Sequence, residues 1–191
     1  MQHSALIPNG RTRPPFFYSL GVGASLVALA LAFAAAWSIG PCPPIEARGV
    51  LNVSRDVAWI TLKDLPEWGK WSRVFKIEGI KSNDPEPGEI FHIQSTWHDG
   101  SVNNSDERIT QVISNEKICW EFTALPSVLL STDRCIVLSS NTNDATHILN
   151  YLTFRGVLGP IVYFIMSNKI KLGFEYFNED LAKYLITAPK S

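Results

Sequence analysis

The stretch after Gly159-Pro160 constrains this chain most. From Ile161 to about Ile186, the residues Met166, Ile170, Gly173/Phe174, Phe177, Leu181 and Leu185 recur at spacings of three or four. That period predicts an amphipathic helix of about 25 residues with a single apolar stripe. At about 1.5 Å per residue it reaches roughly 38 Å, enough to lie across a whole sheet. Lys169, Lys171, Glu175, Glu179, Asp180 and Lys183 interrupt it, so it is not a membrane span. A stripe of that length needs an equally long apolar surface to cover it.

The preceding residues predict such a surface. Arg48–Ser54 reads as a first strand, Arg55–Lys63 as a short helix with Val57, Trp59 and Ile60 as burial candidates, and Leu65–Trp71 as a second helical turn with Pro66 near its first position. A meander follows. Arg73–Gly79 places Phe75 and Ile77 on one face, and Glu89–Trp97 comes after the Asn83–Gly88 turn. Arg108–Ile113 and Lys117–Thr123 flank Ser114-Asn115; Arg134–Ser139 and His147–Phe154 flank an Asn-rich turn at 141–144. The order predicts an α+β fold, a curved antiparallel sheet of six or seven strands around the long C-terminal helix. Such a pair leaves an apolar gap that suits a small hydrophobic ligand. Its predicted lining is Phe75, Ile77, Phe91, Ile93, Ile118, Trp120 and Phe122 from the strands, with Met166, Ile170 and Phe174 from the helix.

The N-terminal part is different in kind. Residues 16–39 contain no Asp, Glu, Lys, Arg or His. As a helix these roughly 24 residues reach about 36 Å, enough to cross a hydrocarbon core of about 30 Å. Arg11 and Arg13 precede the run, prolines at 41, 43 and 44 close it, and Phe16, Phe17, Tyr18 and Trp37 lie near its ends. The charge bias puts the N-terminus in the cytoplasm and the C-terminal domain on the lumenal or extracellular side of a single-pass protein. A cleaved signal peptide is the rival reading, with Ala34-Ala35-Ala36 as small residues for processing, although the apolar run exceeds the usual signal core. The expected organisation is a disordered tail at 1–15, a transmembrane helix at 16–39, a Pro-rich linker at 40–47 and one domain at 48–187.

Net charge is -1 with acids and bases interspersed. No basic stripe exists to hold a phosphate backbone, so nucleic acid is not expected as a partner. Three cysteines are too few for a disulfide-stapled scaffold. No metal or cofactor is expected either. His92 and His98 are about 20 Å apart along one strand, too far to share an ion. His98-Asp99-Gly100 reads as an exposed turn, and His147 as a rim or surface residue.

If the strands at 116–123 and 132–139 form a hairpin centred near Ser127, Cys119 falls opposite Cys135 and Trp120 opposite Arg134. The cysteines could then be a disulfide or two packed thiols. Arg134 could aim into the apolar gap and meet an anionic or carbonyl group, or pair at the sheet edge with Glu121 or Asp133. Asn150 and Tyr163 are weaker catalytic candidates, and Gln94 and Thr153 further polar groups that could face the gap. Asn103-Asn-Ser105 is a glycosylation sequon placed in a polar hairpin loop; Asn52-Val-Ser54 is discounted because it falls in the first strand.

Several segments together resemble the helix-grip superfamily, SRPBCC or START-like, and within it the polyketide cyclase/dehydrase branch. They are Val57-Ala-Trp59, Asp64-Leu-Pro-Glu-Trp68-Gly-Lys-Trp71, Gly88 before the third strand, Ile118-Cys-Trp120-Glu-Phe122, Phe154-Arg-Gly156-Val-Leu-Gly-Pro160 and Gly173–Leu181. The resemblance covers about 48–187. It implies a helix-grip domain that binds a hydrophobic molecule, with non-oxidative cyclisation or dehydration in specialised metabolism as the leading activity. A non-catalytic lipid, sterol or pathway-intermediate carrier, or a scaffold for other membrane-bound enzymes, are the alternatives. Two features depart from the branch: the N-terminal apolar run, and Asn150 where relatives often carry a His. Cyclisation needs an acid or base near an enolisable carbon and a donor for the enolate oxygen; the sequence offers donors but no defensible base.

Overall fold

In the computed structural model, which describes residues 28–29, 42–80, 82–142 and 145–187, the alternating runs pair into one seven-stranded antiparallel sheet. Its strands are β1 (Ile45–Leu51), β2 (Phe75–Glu78), β3 (Ile90–Thr96), β4 (Val102–Ile113), β5 (Lys117–Phe122), β6 (Ser131–Thr142) and β7 (Ala145–Arg155). The spatial order β1-β7-β6-β5-β4-β3-β2 is a continuous meander from β2 to β7, with β1 paired to the free edge of β7. Between β1 and β2 lie α1 (Arg55–Lys63), a 3-10 turn (Leu65–Glu67) and α2 (Trp68–Trp71). The last described element is α3 (Gly159–Thr187), which packs on β1 and β7.

Two periodicities build the core. On β7 the buried residues are Thr146, Ile148, Asn150, Leu152 and Phe154, every second position. On α3 they include Ile170, Phe174, Phe177, Leu181 and Leu185, the stripe expected from spacings of three and four. Trp68 ties the layers together. It is fully buried, its Nε1 donates to the Leu62 carbonyl at 2.9 Å, and its ring lies 4.8 Å from Phe177 and 6.0 Å from Trp120.

Close approach of α3 to the β3 end of the sheet depends on Gly173. A methyl group there would stand 2.8 Å from Trp97 Cζ3 and 3.5 Å from Val74 Cγ1. The Trp97 ring is itself buried and set edge-on to Phe75, so it cannot swing aside freely. Alanine is the better helix former by about 1 kcal/mol, but overpacking a core costs about 1–3 kcal/mol. Gly173→Ala is therefore expected to lower stability by about 1 kcal/mol in denaturant titration. A midpoint equal to or above wild type would show that Trp97 relocates at no cost.

Several boundaries differ from expectation. β1 begins at Ile45, inside the segment read as linker, because Ile45, Ala47 and Leu51 alternate inward and pair along β7. Cys42 belongs to the domain as well: it is buried, and its N–H donates to the Phe154 carbonyl at 3.2 Å. Within α1 the buried stripe is Ala58, Trp59 and Leu62, while Val57 and Ile60 are 47% and 62% exposed. Ala58 and Leu62 continue to Leu65 on one side, which turns Val57 and Ile60 outward.

β4 starts at Val102 rather than Arg108, because its polar first half pairs with β3 through backbone bonds that need no apolar side chains. Asn103 is thus an exposed strand residue opposite Ser95, not part of a hairpin loop, and Asn52 falls in the exposed bend after β1 rather than within it. Residues 1–15 and the predicted span 16–39 lie outside the described residues, apart from helical Ala28 and Leu29. No described helix is long and apolar enough to cross a membrane.

Candidate functional site

Two neighbouring rungs of the β5–β6 ladder set up the interior: Cys119 opposite Cys135, and Trp120 opposite Arg134. Successive strand residues point to opposite faces, so the first pair lies on the outer face and the second on the inner face that α3 covers. Cys119 and Cys135 are joined as a disulfide. Of the two readings open in the sequence, the structure takes the bonded one. Asp133 lies close to both sulfurs in a spacing that would suit a metal ion, but sulfurs bonded to each other offer no thiolate.

Arg134 points inward with the alternation Thr132, Arg134, Ile136, Leu138, and only 4% of it is exposed. Its Cζ lies 4.2 Å from the Phe75 ring centroid and 4.8 Å from those of Trp120 and Phe174. The rings favour the cation electrostatically but offer no acceptor for its N–H groups. Nε and Nη2 have no hydrogen-bond partner among the described residues. Loss of hydration lowers the guanidinium pKa to about 10, with the charge of Glu107 opposing the shift. The edge ion pair expected as the alternative does not form: Glu121 accepts from Arg108 Nε at 3.1 Å, and Asp133 lies on the outer face, opposite Thr153.

Glu107 is the ionisable group that the sequence reading missed. It pairs with Phe91 on one side and Phe122 on the other, which sets it on the inner face two residues before buried Ile109. Its side chain is half-buried, and the hydration it loses among these neighbours raises its pKa above the usual carboxylate value. The Arg134 charge, the Ser105 hydroxyl donating to Oε1 at 3.0 Å, and the Trp120 indole act in the other direction. The indole N–H nonetheless completes no hydrogen bond. The signal was present, since Ser105, Glu107 and Ile109 alternate, but a strand boundary drawn at Arg108 hid it.

Asn150 is fully buried between Ala47 of β1 and Ile136 of β6, diagonal to Arg134 on the inner face. Neither its Nδ2 nor its Oδ1 has a partner among the described residues. Asn178 of α3 sits over the same place, its Nδ2 donating to the Ala47 carbonyl at 3.4 Å while its Oδ1 has no partner. Leaving a buried polar group unpaired costs about 1–3 kcal/mol. Arg134, Asn150 and Asn178 each carry that penalty in the layer between sheet and helix; the Thr153 hydroxyl on the outer face and the indoles of Trp71, Trp97 and Trp120 carry it elsewhere.

The remaining candidates sort by face. Phe75, Ile77, Phe91, Ile93, Ile118, Trp120, Ile170 and Phe174 are buried in one core cluster, with Phe122, Tyr163 and Met166 half-buried against it. Gln94 and Thr153 do not face the interior. Gln94 is exposed between Lys76 and Asn104, and Thr153 shares the outer face with Asp133. His92 bonds Asp106 at 3.0 Å, His98 sits in the exposed Trp97–Ser101 turn, and His147 borders an open outer recess of about 360 Å³ with Arg48 and Ser139.

A scan against protein-family profiles finds no match, and neither does a sequence comparison with curated proteins. Solved structures do match in fold. The Zhui aromatase/cyclase from Streptomyces sp. R1128 superposes with a TM-score of 0.61 at 9% identity, over 76% of this chain and 96% of that one. The di-domain ARO/CYC BexL of the BE-7585A biosynthetic pathway gives 0.57 at 9% identity, over 91% of this chain and 60% of that one. DynU16, from the dynemicin biosynthetic locus, gives 0.55 at 16% identity over 75% of this chain. This chain spans only 47% of DynU16. At these identities the likeness establishes the helix-grip fold.

Proposed function

We propose that the domain binds a hydrophobic, partly oxygenated small molecule between the sheet and α3, and acts on it as a polyketide cyclase or dehydratase in specialised metabolism. The observation that carries this reading is Arg134, buried among aromatic rings with two unpaired nitrogens, on the same face as Glu107. Folds like that of the Zhui aromatase/cyclase support it. In the proposed reaction the Glu107 carboxylate takes a proton from a carbon between two carbonyls. Arg134 N–H groups stabilise the enolate oxygen, the enolate carbon attacks a second carbonyl, and the new alkoxide takes the proton back from Glu107. Asn150 and Asn178 would hold further ligand oxygens, and the aromatic and aliphatic lining its apolar body. Residues 16–39 would hold the domain at a membrane with its C-terminal part outside the cytoplasm, a location that a disulfide favours.

The test separates catalysis from carriage. Wild-type protein should accelerate ring closure of a synthetic poly-β-ketone thioester above its spontaneous rate and bind the anionic aromatic probe anilinonaphthalene sulfonate. Glu107→Gln should keep probe binding and lose about 10²–10⁴-fold in acceleration. Because burial raises the Glu107 pKa, acceleration should climb with pH at higher values than an ordinary carboxylate would give. Binding without acceleration in wild type would favour a non-catalytic carrier; absence of probe binding would end the small-molecule reading.

A further inference from the structure

One end of the domain carries an apolar surface that nothing described covers. The β5–β6 loop leaves Leu125, Val128 and Leu129 exposed by 39%, 44% and 37%, and the first turns of α3 leave Ile161, Phe164 and Ile165 exposed by 57%, 86% and 65%. Ile161, Phe164 and Ile165 stand at i, i+3 and i+4, so they form one stripe. Loop and helix are held together by backbone bonds, Val157 N–H to the Val128 carbonyl at 3.1 Å and Leu158 N–H to the Leu129 carbonyl at 2.9 Å. Gly156 makes this contact possible. Its φ is +87°, and a Cβ there would lie 2.8 Å from the Leu129 carbonyl.

We propose that this end docks on a lipid bilayer. Three observations select lipid as the occupant. The first is the patch itself, apolar and crowned by an almost fully exposed phenylalanine. The second is charge. No Asp or Glu occurs from Thr123 to Leu130 or from Arg155 to Phe174, whereas Arg155 and Lys171 do occur; Lys169 lies there too, but it is ion-paired with Asp99 at 2.6 Å. Apolar side chains on two segments that contain basic residues and no acids fit an anionic headgroup layer.

The third is where the chain arrives. Cys42 is hydrogen-bonded to Phe154, one residue before Arg155 and so at the strand-to-helix junction beside the patch. The apolar run ends at Ile39, three residues before Cys42 in the sequence. This third point rests on the proposed membrane span. The first two do not, and none depends on the chemistry proposed for Arg134 and Glu107.

Depth-dependent fluorescence on the full chain tests the docking. In a Cys42→Ala background with the native disulfide intact, Phe164→Cys, Leu129→Cys and Ile186→Cys each receive one environment-sensitive nitrobenzoxadiazole label. Ile186 is 66% exposed and lies roughly 33 Å further along α3, which makes it the internal control. Vesicles contain phosphatidylcholine with phosphatidylglycerol. Docking predicts that doxyl-lipids quench labels 164 and 129 at least about threefold more than label 186, while aqueous iodide quenches label 186 only. Carbonate extraction reports separately whether residues 16–39 are embedded, so failure of the span and failure of the docking are distinguishable. Equal iodide access at 164 and 186 overturns the proposal. Protection at 164 without doxyl quenching, together with a chemically cross-linked dimer, also overturns it and assigns the patch to a second copy of this chain.

Discussion

Arg134→Met is expected to yield a protein at least as thermally stable as wild type that no longer holds an oxygenated ligand. The wild-type guanidinium is fully desolvated, makes no ion pair among the described residues and leaves two nitrogens unpaired. Its pKa falls to about 10, which records the same penalty: the fold disfavours the charged form. The sign follows. Below about pH 10 the cation is present in both folded and unfolded chains, so the full penalty acts on the folded state at neutral pH.

Methionine carries no charge and matches the arginine stem as far as about Nε, and its flexible thioether can pack towards Phe75, Trp120 and Phe174. Replacing a buried charge by a well-packed apolar residue is commonly neutral or stabilising by 1–4 kcal/mol, although the aromatic contacts of the cation offset part of the gain. Binding should change the other way. A charged hydrogen bond is worth about 1.5–3 kcal/mol, so affinity for anilinonaphthalene sulfonate should drop roughly 10- to 150-fold. Thermal denaturation and probe titration of the same sample decide the matter. A large loss of stability with binding intact would make Arg134 a structural residue.

A residue that reduces stability at a buried position is explained by function more readily than by folding. The same reasoning applies less strongly to Asn150 and Asn178, whose amides could exchange some of their deficit for a guest's oxygens. It also explains why the interior was only partly legible in the sequence. Positions that obey a period of two or of 3.6, such as Phe75 and Ile77 or Phe174, Phe177 and Leu181, announced their faces through neighbours with the same preference.

Arg134 was legible because Trp120, its cross-strand partner, sits between Ile118 and Phe122. Glu107 was not, because its strand is polar along most of its length and only the backbone ladder with β3 reveals that Asn103 to Arg108 belong to the sheet. The same difficulty moved the start of β1, where Pro43 and Pro44 suggest a linker although Ile45 and Ala47 already fill the core. Val57 and Ile60 misled in the opposite sense: they are apolar, but a nine-residue helix has room for one buried stripe, and Ala58, Trp59 and Leu62 occupy it.

Removing the Cys119–Cys135 bond should lower stability and, through register, loosen the site. The bond closes a loop with a sequence separation of 16, for which chain-entropy arguments give about 3 kcal/mol. In a domain of this size that corresponds to a fall of roughly 6–12 °C in Tm on reduction or in the Cys119→Ala, Cys135→Ala double variant. The position matters as much as the magnitude. The rung Trp120–Arg134 comes next to the disulfide and is the last pair of the β5–β6 register; beyond it the Phe122 N–H donates to Thr132 Oγ1 at 2.8 Å.

The outer-face bond therefore clamps the pair that holds the inner-face cation against its ring. Without the clamp, the end of the hairpin can open locally before the domain unfolds, and Arg134 would leave the aromatic rings first. Hydrogen exchange should show this as faster exchange at Trp120 and Arg134 amides in the double variant, with the β6–β7 ladder unchanged. Probe affinity should weaken at temperatures well below the new Tm. Uniform acceleration across all strands would mean instead that the disulfide stabilises the sheet as a whole and has no special relation to the site.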